Sequence, residues 1–453
     1  MAIADEPAAA PRPALSVFDA AMIIVGIVIG GGIFSMPPLV AGTAGSPPWM
    51  MFAWILGGVL SMVGALVYAE LSTAFPTAGG DYHFLTRAYG RDVSFFFGWA
   101  RATVIQPGSI ALHVFIFGDY MTRLLPLGAQ SSAIYAAATV VVLTGINLAG
   151  VRQSARTQNL MTLALLAGLA LVVAAAAFAP GHPASAAPAA APAPSVGVFG
   201  YAMVFVLLTY GGWNEAAYIS AELKGGRRAI VKALGAGLAV VTATYLLVVG
   251  GLLHGLGFDG LKNSSTPAAD LMQAAFGGIG GTVMAVIVSL SILSSINATM
   301  LSGARSNYAL GGDWPLLRFM NRWDTDRGVP TRAFIVQAAI TLALIALGAS
   351  EAAGVKTMVE FTAPVFWFFF MLTGVAFFVL RYREAGAARP FRVPLYPIVP
   401  AIFVLTCAYL LNSSVNYAQS QHAVHVSFYV MAAGAAAWLL TWVQRNPQPA
   451  ATP

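Results

Sequence analysis

This chain has very little charge. Only 9% of its 453 residues are Asp, Glu, Lys or Arg, against 58% hydrophobic, and mean hydropathy is +0.77. A soluble domain carries about a quarter charged residues, so a water-facing surface over most of the molecule is excluded. Cysteine is nearly absent: Cys407 stands alone in a late apolar segment, which rules out an internal disulfide and a Cys-based metal cluster. There is no H-E-x-x-H, no G-x-S-x-G and no nucleotide-binding glycine loop. Hydrolase chemistry and an ATP-driven pump therefore have no support, and the chain reads as a non-enzyme that works on gradients. The Ala/Pro-rich stretch 1–16 precedes an apolar run too long and too broken for a cleaved signal peptide. The net charge of +6 reads as basic loops on one membrane face, not as a nucleic-acid surface.

Apolar segments lie at about 17–41, 48–73, 93–122, 132–150, 157–179, 197–221, 229–257, 280–308, 331–348, 355–380, 394–412 and 424–443. Their lengths suit transmembrane helices, so the expected fold is an all-α integral membrane protein with twelve spans. Residues 180–196 read as a loop, and 258–280 as a loop with one short helix. Arginine and lysine crowd one set of loops, including Arg87 and Arg91, Arg152 and Arg156, Lys224 to Lys232, Arg305 to Arg332 and Arg381 to Arg392. The opposite loops hold only Arg123, Lys262 and Lys356. That bias places both termini, 1–16 and 444–453, in the cytoplasm.

Two spans are interrupted. Gly30-Gly31-Gly32 breaks the first, and Gly211-Gly212 breaks the sixth within Leu208-Thr209-Tyr210-Gly211-Gly212-Trp213-Asn214-Glu215. Unpaired backbone groups in hydrocarbon cost several kcal/mol each, so such breaks persist only where protein, water or a solute meets the freed groups. The Gly26-x-x-x-Gly30 spacing has a plainer reading as a helix-packing surface, and Gly57-Gly58 in span two reads as packing alone. Broken openers at matching positions favour two five-span halves, 17–179 and 197–380, facing opposite ways in the membrane. Spans eleven and twelve, 394–443, follow as an appendix. Paired interruptions of this kind mark the binding site of an inverted-repeat transporter.

An unwound span becomes two half-helices. The N-terminus of one offers amides and partial positive charge to a carboxylate, and the C-terminus of the other offers carbonyls to an ammonium. A zwitterionic amino acid carries both charges close together. The expected carboxylate partners are the amides of Gly31, Gly32 and Ile33, with Gly30 bare beside them. Val28 and Leu208 carbonyls, with Thr209, are expected at the amine. Tyr210 and Gly211 complete the second break, Asn214 adds a side-chain amide, and Trp213 packs as a wall.

The element Gly26-Ile27-Val28-Ile29-Gly30-Gly31-Gly32-Ile33-Phe34 resembles the G-x-I-I-G-S-G-I-F motif of the amino acid–polyamine–organocation (APC) superfamily, in its L-type amino acid transporter branch. Tyr68-Ala69-Glu70-Leu71, Pro76-Thr77-Ala78-Gly79-Gly80-Asp81-Tyr82, Tyr210-Gly211-Gly212-Trp213-Asn214 and Ser294-Ser295-Ile296-Asn297-Ala298-Thr299 resemble the same family, in the expected order. The resemblance implies the five-plus-five inverted-repeat fold with helices 1 and 6 discontinuous, alternating access, and amino acid uptake or exchange in a bacterial inner membrane. Three departures stand out. Leu208 replaces the branch's bulky aromatic gate, Gly31 replaces a common serine, and Leu165 falls where many sodium-independent relatives carry a lysine.

Without that lysine, Ser291, Ser295 and Thr299, spaced four apart on one helical face, form a candidate sodium site. The competing reading, in which the hydroxyls bond their own backbone and Leu165 plugs the space, is preferred. No cofactor or metal is therefore expected. Glu215, just after the second break, is a candidate for proton coupling or for the amine. Glu70 and Glu222 are expected to pair with loop arginines, Arg101 to snorkel or pair with one of them, and Glu360 is a weaker proton candidate. His113 and His254 are expected to be structural. The scarcity of acids near the breaks favours a neutral amino acid; a polyamine or other amine is the alternative. The lean loops suggest that no accessory subunit is required, and the partners are a small solute and lipid.

Overall fold

The computed structural model describes residues 16–76, 79–150, 155–181, 193–214, 226–351 and 354–445, and among them it is entirely helical apart from one isolated β-bridge. Nine helices there are long and apolar enough to cross a membrane. They are α3 (Pro47–Ala74), Arg91–Leu124, α7 (Ser131–Leu148), α10 (Gly226–Lys262), α11 (Pro267–Asp313), α12 (Thr331–Ser350), α13 (Gly354–Arg383), α14 (Ile398–Asn416) and α15 (Gln421–Arg445). The expected spans one, five and six correspond to shorter pieces. These are α1 (Val17–Val28) with α2 (Met36–Ala44), α8 (Ala155–Phe178), and α9 (Val196–Thr209). Large apolar side chains such as Ile55, Val59, Leu247, Ile279 and Leu405 stand exposed on the outside of the bundle, as a lipid-facing surface requires and a water-facing one does not.

The first interruption falls where the glycines are. α1 stops at Val28, Ile29 and Gly30 are extended, Gly31–Phe34 make one 3₁₀ turn, and α2 restarts at Met36 with proline in its first turn. The second follows Thr209. Tyr210 and Gly211 close the end of α9 by donating to Val206 and Leu208, and Gly212 sits at φ 102°, a conformation only glycine adopts without strain. The buried hydroxyl of Tyr245 on α10 lies 3.0 Å from the Val28 carbonyl and 3.1 Å from the Thr209 carbonyl. One side chain thus reaches the last carbonyls of both broken helices and ties the two breaks to each other.

Glycines elsewhere separate into two kinds. A Cβ on Gly57 would strike Val206 and Tyr210, and one on Gly58 would strike Thr242, so this pair does serve close packing of α3 on α9 and α10. On Gly64 it would stand 2.5 Å from the ring of Trp213. A Cβ on Gly26 or Gly30, by contrast, would meet nothing within 4 Å among the described residues. Among the described residues, then, no helix packs on the G-x-x-x-G face of the first span.

The ends of the bundle are tied by ion pairs. Glu70, only 2% exposed, accepts from the Val393 amide at 2.6 Å and lies 3.5 Å and 3.6 Å from Arg389 and Arg381. This is the pairing with loop arginines expected of it, and Arg101 takes no part. Arg87, on α4 (Gly80–Tyr89), clamps Glu384 with two hydrogen bonds of 2.7 and 2.6 Å. Those bonds hold the Glu384 carboxyl below its ordinary range. Glu360 is buried, takes the Tyr201 hydroxyl and caps α15 through the amides of Gln419 and Ser420 at 2.9 and 2.8 Å. With three donors, this carboxylate anchors the start of α15 to α9 and α13.

Two expected outcomes follow. Tyr245→Phe strips the hydroxyl from two buried carbonyls and should lower stability by about 1–3 kcal/mol, measured as thermal unfolding in detergent; an unchanged transition would mean that water substitutes without loss. Gly64→Ala should also destabilise, by about 1–3 kcal/mol from overpacking. Gly26→Ala should be neutral or gain up to about 1 kcal/mol from helix propensity.

Candidate functional site

The two breaks open into one cavity of about 620 Å³, within the usual range of roughly 300–1,000 Å³ for small-molecule sites. Of the residues expected from sequence, Val28, Gly30, Gly32, Leu208, Thr209, Gly211, Asn214, Leu165, Ser291, Ser295 and Thr299 all line it. Residues more than 250 positions apart in sequence are thus brought to one space. Gly31 and Ile33 are buried in the 3₁₀ turn beside it. A Cβ on Gly31 would come within 2.9 Å of Ile292, so the turn lies flat against α11 and admits no side chain at that position without displacement. Gly32 faces Thr209 across ordinary van der Waals distance, 3.6 Å from a built Cβ.

Two expected site residues point elsewhere. Tyr210 is fully buried, donates its hydroxyl to the Trp54 carbonyl at 2.9 Å, and meets Tyr245 edge to face. Trp213 inserts over Gly64 and meets Tyr68, Phe370 and Phe403 edge to face. The wall that Trp213 was expected to provide comes instead from Phe366, Phe369 and Phe370 on α13. The Val28 carbonyl, expected at the amine, already has Tyr245 on one lone pair, which leaves its second lone pair. Glu215 and Glu222 lie outside the described residues.

Two hydroxyls on this face of α11 bond back to their own helix. Ser291 donates to the Ile287 carbonyl and Thr299 to the Ser295 carbonyl, each at 2.8 Å, the back-bonding that serines and threonines commonly make within helices. Thr299 also gives its carbonyl to Gln106 at 2.9 Å. Leu165 occupies the same cavity wall. Among the described residues no group of His, Cys, Asp and Glu is arranged to hold a metal.

The third span supplies what sequence reading missed. Its helix has a π-helical turn at Arg101–Ile105 between Arg91–Ala100 and α6 (Gln106–Leu124). One extra residue per turn re-aims the side chains beyond it, and Arg101, Gln106, Ser109 and His113 all reach the cavity. Arg101 makes no ion pair among the described residues, and its Nε is sealed without a partner. Asp81, from the start of α4, is the cavity's acid among those residues; it accepts from Tyr68 at 2.6 Å and Thr373 at 3.0 Å. The π turn breaks the 3.6-residue register, so no periodicity in the sequence announces this lining.

Relatives bear on the same arrangement. The family model described as amino acid permease matches residues 15–442. The chain is 28% identical over 398 residues to the serine/threonine exchanger SteT of Bacillus subtilis, covering 86% of this chain and 89% of that protein. It is 27% identical over 408 residues to the b(0,+)-type amino acid transporter 1 of Homo sapiens, covering 88% and 81%. Identity to the Asc-type amino acid transporter 1 of Mus musculus is 28% over 408 residues, covering 88% and 75%. With the match running through both broken helices and nearly the whole bundle, the chain belongs to the amino acid permease family, a branch of the APC superfamily, and is an integral membrane transport protein.

Proposed function

We propose that this permease moves small neutral amino acids by alternating access, as an exchanger or symporter, through the cavity where its two broken helices meet. In this reading the substrate carboxylate docks on the amides of Gly31, Gly32 and Ile33. The ammonium docks on the Leu208 carbonyl with Thr209 and the free lone pair of Val28. Asn214 lends its amide, Leu208 is the light gate above the site, and the side chain of the substrate points toward Phe366 and Phe370. The observation that carries the proposal is the convergence of both glycine breaks on one cavity with free space at Gly30.

The charge of that cavity supports a neutral substrate over a polyamine. A polycation needs several carboxylates, whereas Asp81 is already held by two hydroxyls and Arg101 stands nearby in the same lining. Leu165 in the same lining, filling the space an ion or an ammonium would take, supports sodium-independent transport. Glu215 remains a coupling candidate on sequence grounds. We place the protein in a bacterial inner membrane with both termini cytoplasmic, and acting without an accessory subunit, from the Lys/Arg bias and the short loops.

In proteoliposomes loaded with unlabelled amino acid, counterflow of labelled alanine or serine should exceed that of putrescine, and replacing sodium by choline should leave the rate unchanged. Greater putrescine uptake would favour the amine reading. Gly31→Leu should abolish counterflow by at least about tenfold while the protein still elutes as a folded species, because its side chain must enter Ile292 and cover the amides. Leu208→Phe should narrow the accepted side chains; an unaltered substrate range would remove Leu208 as the gate.

A further inference from the structure

The ring of His113 stands against the first glycine break. Its Cδ2 lies 3.9 Å from where a Cβ on Gly31 would sit, so the Cδ2–Nε2 edge of the imidazole faces the turn. Nδ1 lies 2.7 Å from the carbonyl oxygen of Ser109. A carbonyl only accepts, so Nδ1 carries a proton and the ring is pinned in one orientation. Nε2 is then the nitrogen that gains or loses a proton. Among the described residues it has no hydrogen-bond partner, and the half-buried His113 lines the cavity.

We propose that His113 Nε2 takes up a proton when the amino acid binds and donates it to the substrate carboxylate. This rests on the carboxylate assignment of the preceding section. A neutral ring would aim a lone pair at that carboxylate, which repels; a protonated ring supplies a charge-assisted donor. The position matters because the turn itself cannot provide a hydroxyl there: a serine Cβ at residue 31 would collide with Ile292. The proton comes from water on the loading side, joins the Nε2 lone pair, travels as the N–H bonded to the carboxylate, and returns to water on release.

Competing proton sites are few near the ring. From α11, which packs against this face, no charged or titratable side chain occurs between Gly281 and Ala304, and α7 contributes only Tyr135, whose hydroxyl donates to the Leu125 carbonyl at 2.8 Å. On α12 the charged groups are Arg332 at one end and Glu351 capping the other, where it pairs with His422 at 3.1 Å. On α13, Lys356 is bonded to Gln419 and Glu360 is held by Tyr201, Gln419 and Ser420. The cavity adds Arg101 and Asp81, and on the same helix Asp119 takes the Ser132 hydroxyl at 2.6 Å. Residue 215 lies outside the described structure.

The test is equilibrium binding of labelled alanine to the full-length protein in nanodiscs from pH 5.5 to 8.5, with proton uptake followed by a pH dye in weak buffer. Wild type should bind with an affinity that weakens toward about tenfold per pH unit above the histidine range, taking up close to one proton per alanine at pH 8. H113Q, whose amide donates without titrating, should bind without that slope; H113N serves if H113Q does not fold. D119N should keep the slope. A wild-type affinity equal at pH 6 and pH 8 with no proton uptake, an undiminished slope in H113Q, or a slope lost in D119N would overturn the proposal. Absence of alanine binding at every pH would instead overturn the substrate assignment beneath it.

Discussion

A helix cannot be broken inside a membrane unless something meets the groups it frees. In this permease the phenol of Tyr245 lies within hydrogen-bonding reach of the final carbonyls of both α1 and α9. Each unmet carbonyl in hydrocarbon costs several kcal/mol, so the position of Tyr245 fixes where the chain is able to unwind and holds the two unwound points together. Everything functional hangs from that constraint. The 3₁₀ turn after Gly30 and the end of α9 face one cavity because the breaks are held close, and the proposed site is built on that closeness.

The surroundings are arranged to keep that space open and mostly neutral. Trp213 is drawn away over the bare face of Gly64, and Tyr210 is tied down to Trp54. The walls are then left to Leu165, Leu208 and the phenylalanines of α13. Carboxylates that would bring fixed charge near the breaks are committed elsewhere: Glu70 to arginines at one end of the bundle, Glu360 to the cap of α15. What remains suits one carboxylate and one ammonium on the same small molecule.

Much of this is legible in the amino-acid sequence because it is local. A run of three glycines in an apolar segment has one physical consequence, and the breaks fall at Gly30 and after Thr209 as their residues require. The pairing of Glu70 with loop arginines follows from the cost of an isolated buried charge, and the back-bonding of Ser291 and Thr299 from the habit of hydroxyl side chains within helices. What sequence does not disclose depends on rotation about a helix axis. The π turn at Arg101–Ile105 re-registers the third span, so His113, Gln106 and Arg101 reach the cavity although no periodic pattern points them there. Trp213 and Tyr210 fail in the opposite sense, sitting in the right segment and facing the wrong way, because Gly64 leaves a slot that a large ring fills.

The central claim is that the bared backbone of two helices recognises both charges of one amino acid. Competition against labelled alanine by its two half-molecules, propionate and alanine methyl ester, tests it most directly. Each analogue lacks one charge, and each should compete about tenfold to hundredfold less well than alanine, the scale of losing a charge-assisted hydrogen-bond set. Either analogue displacing the label as effectively as alanine itself would contradict the account.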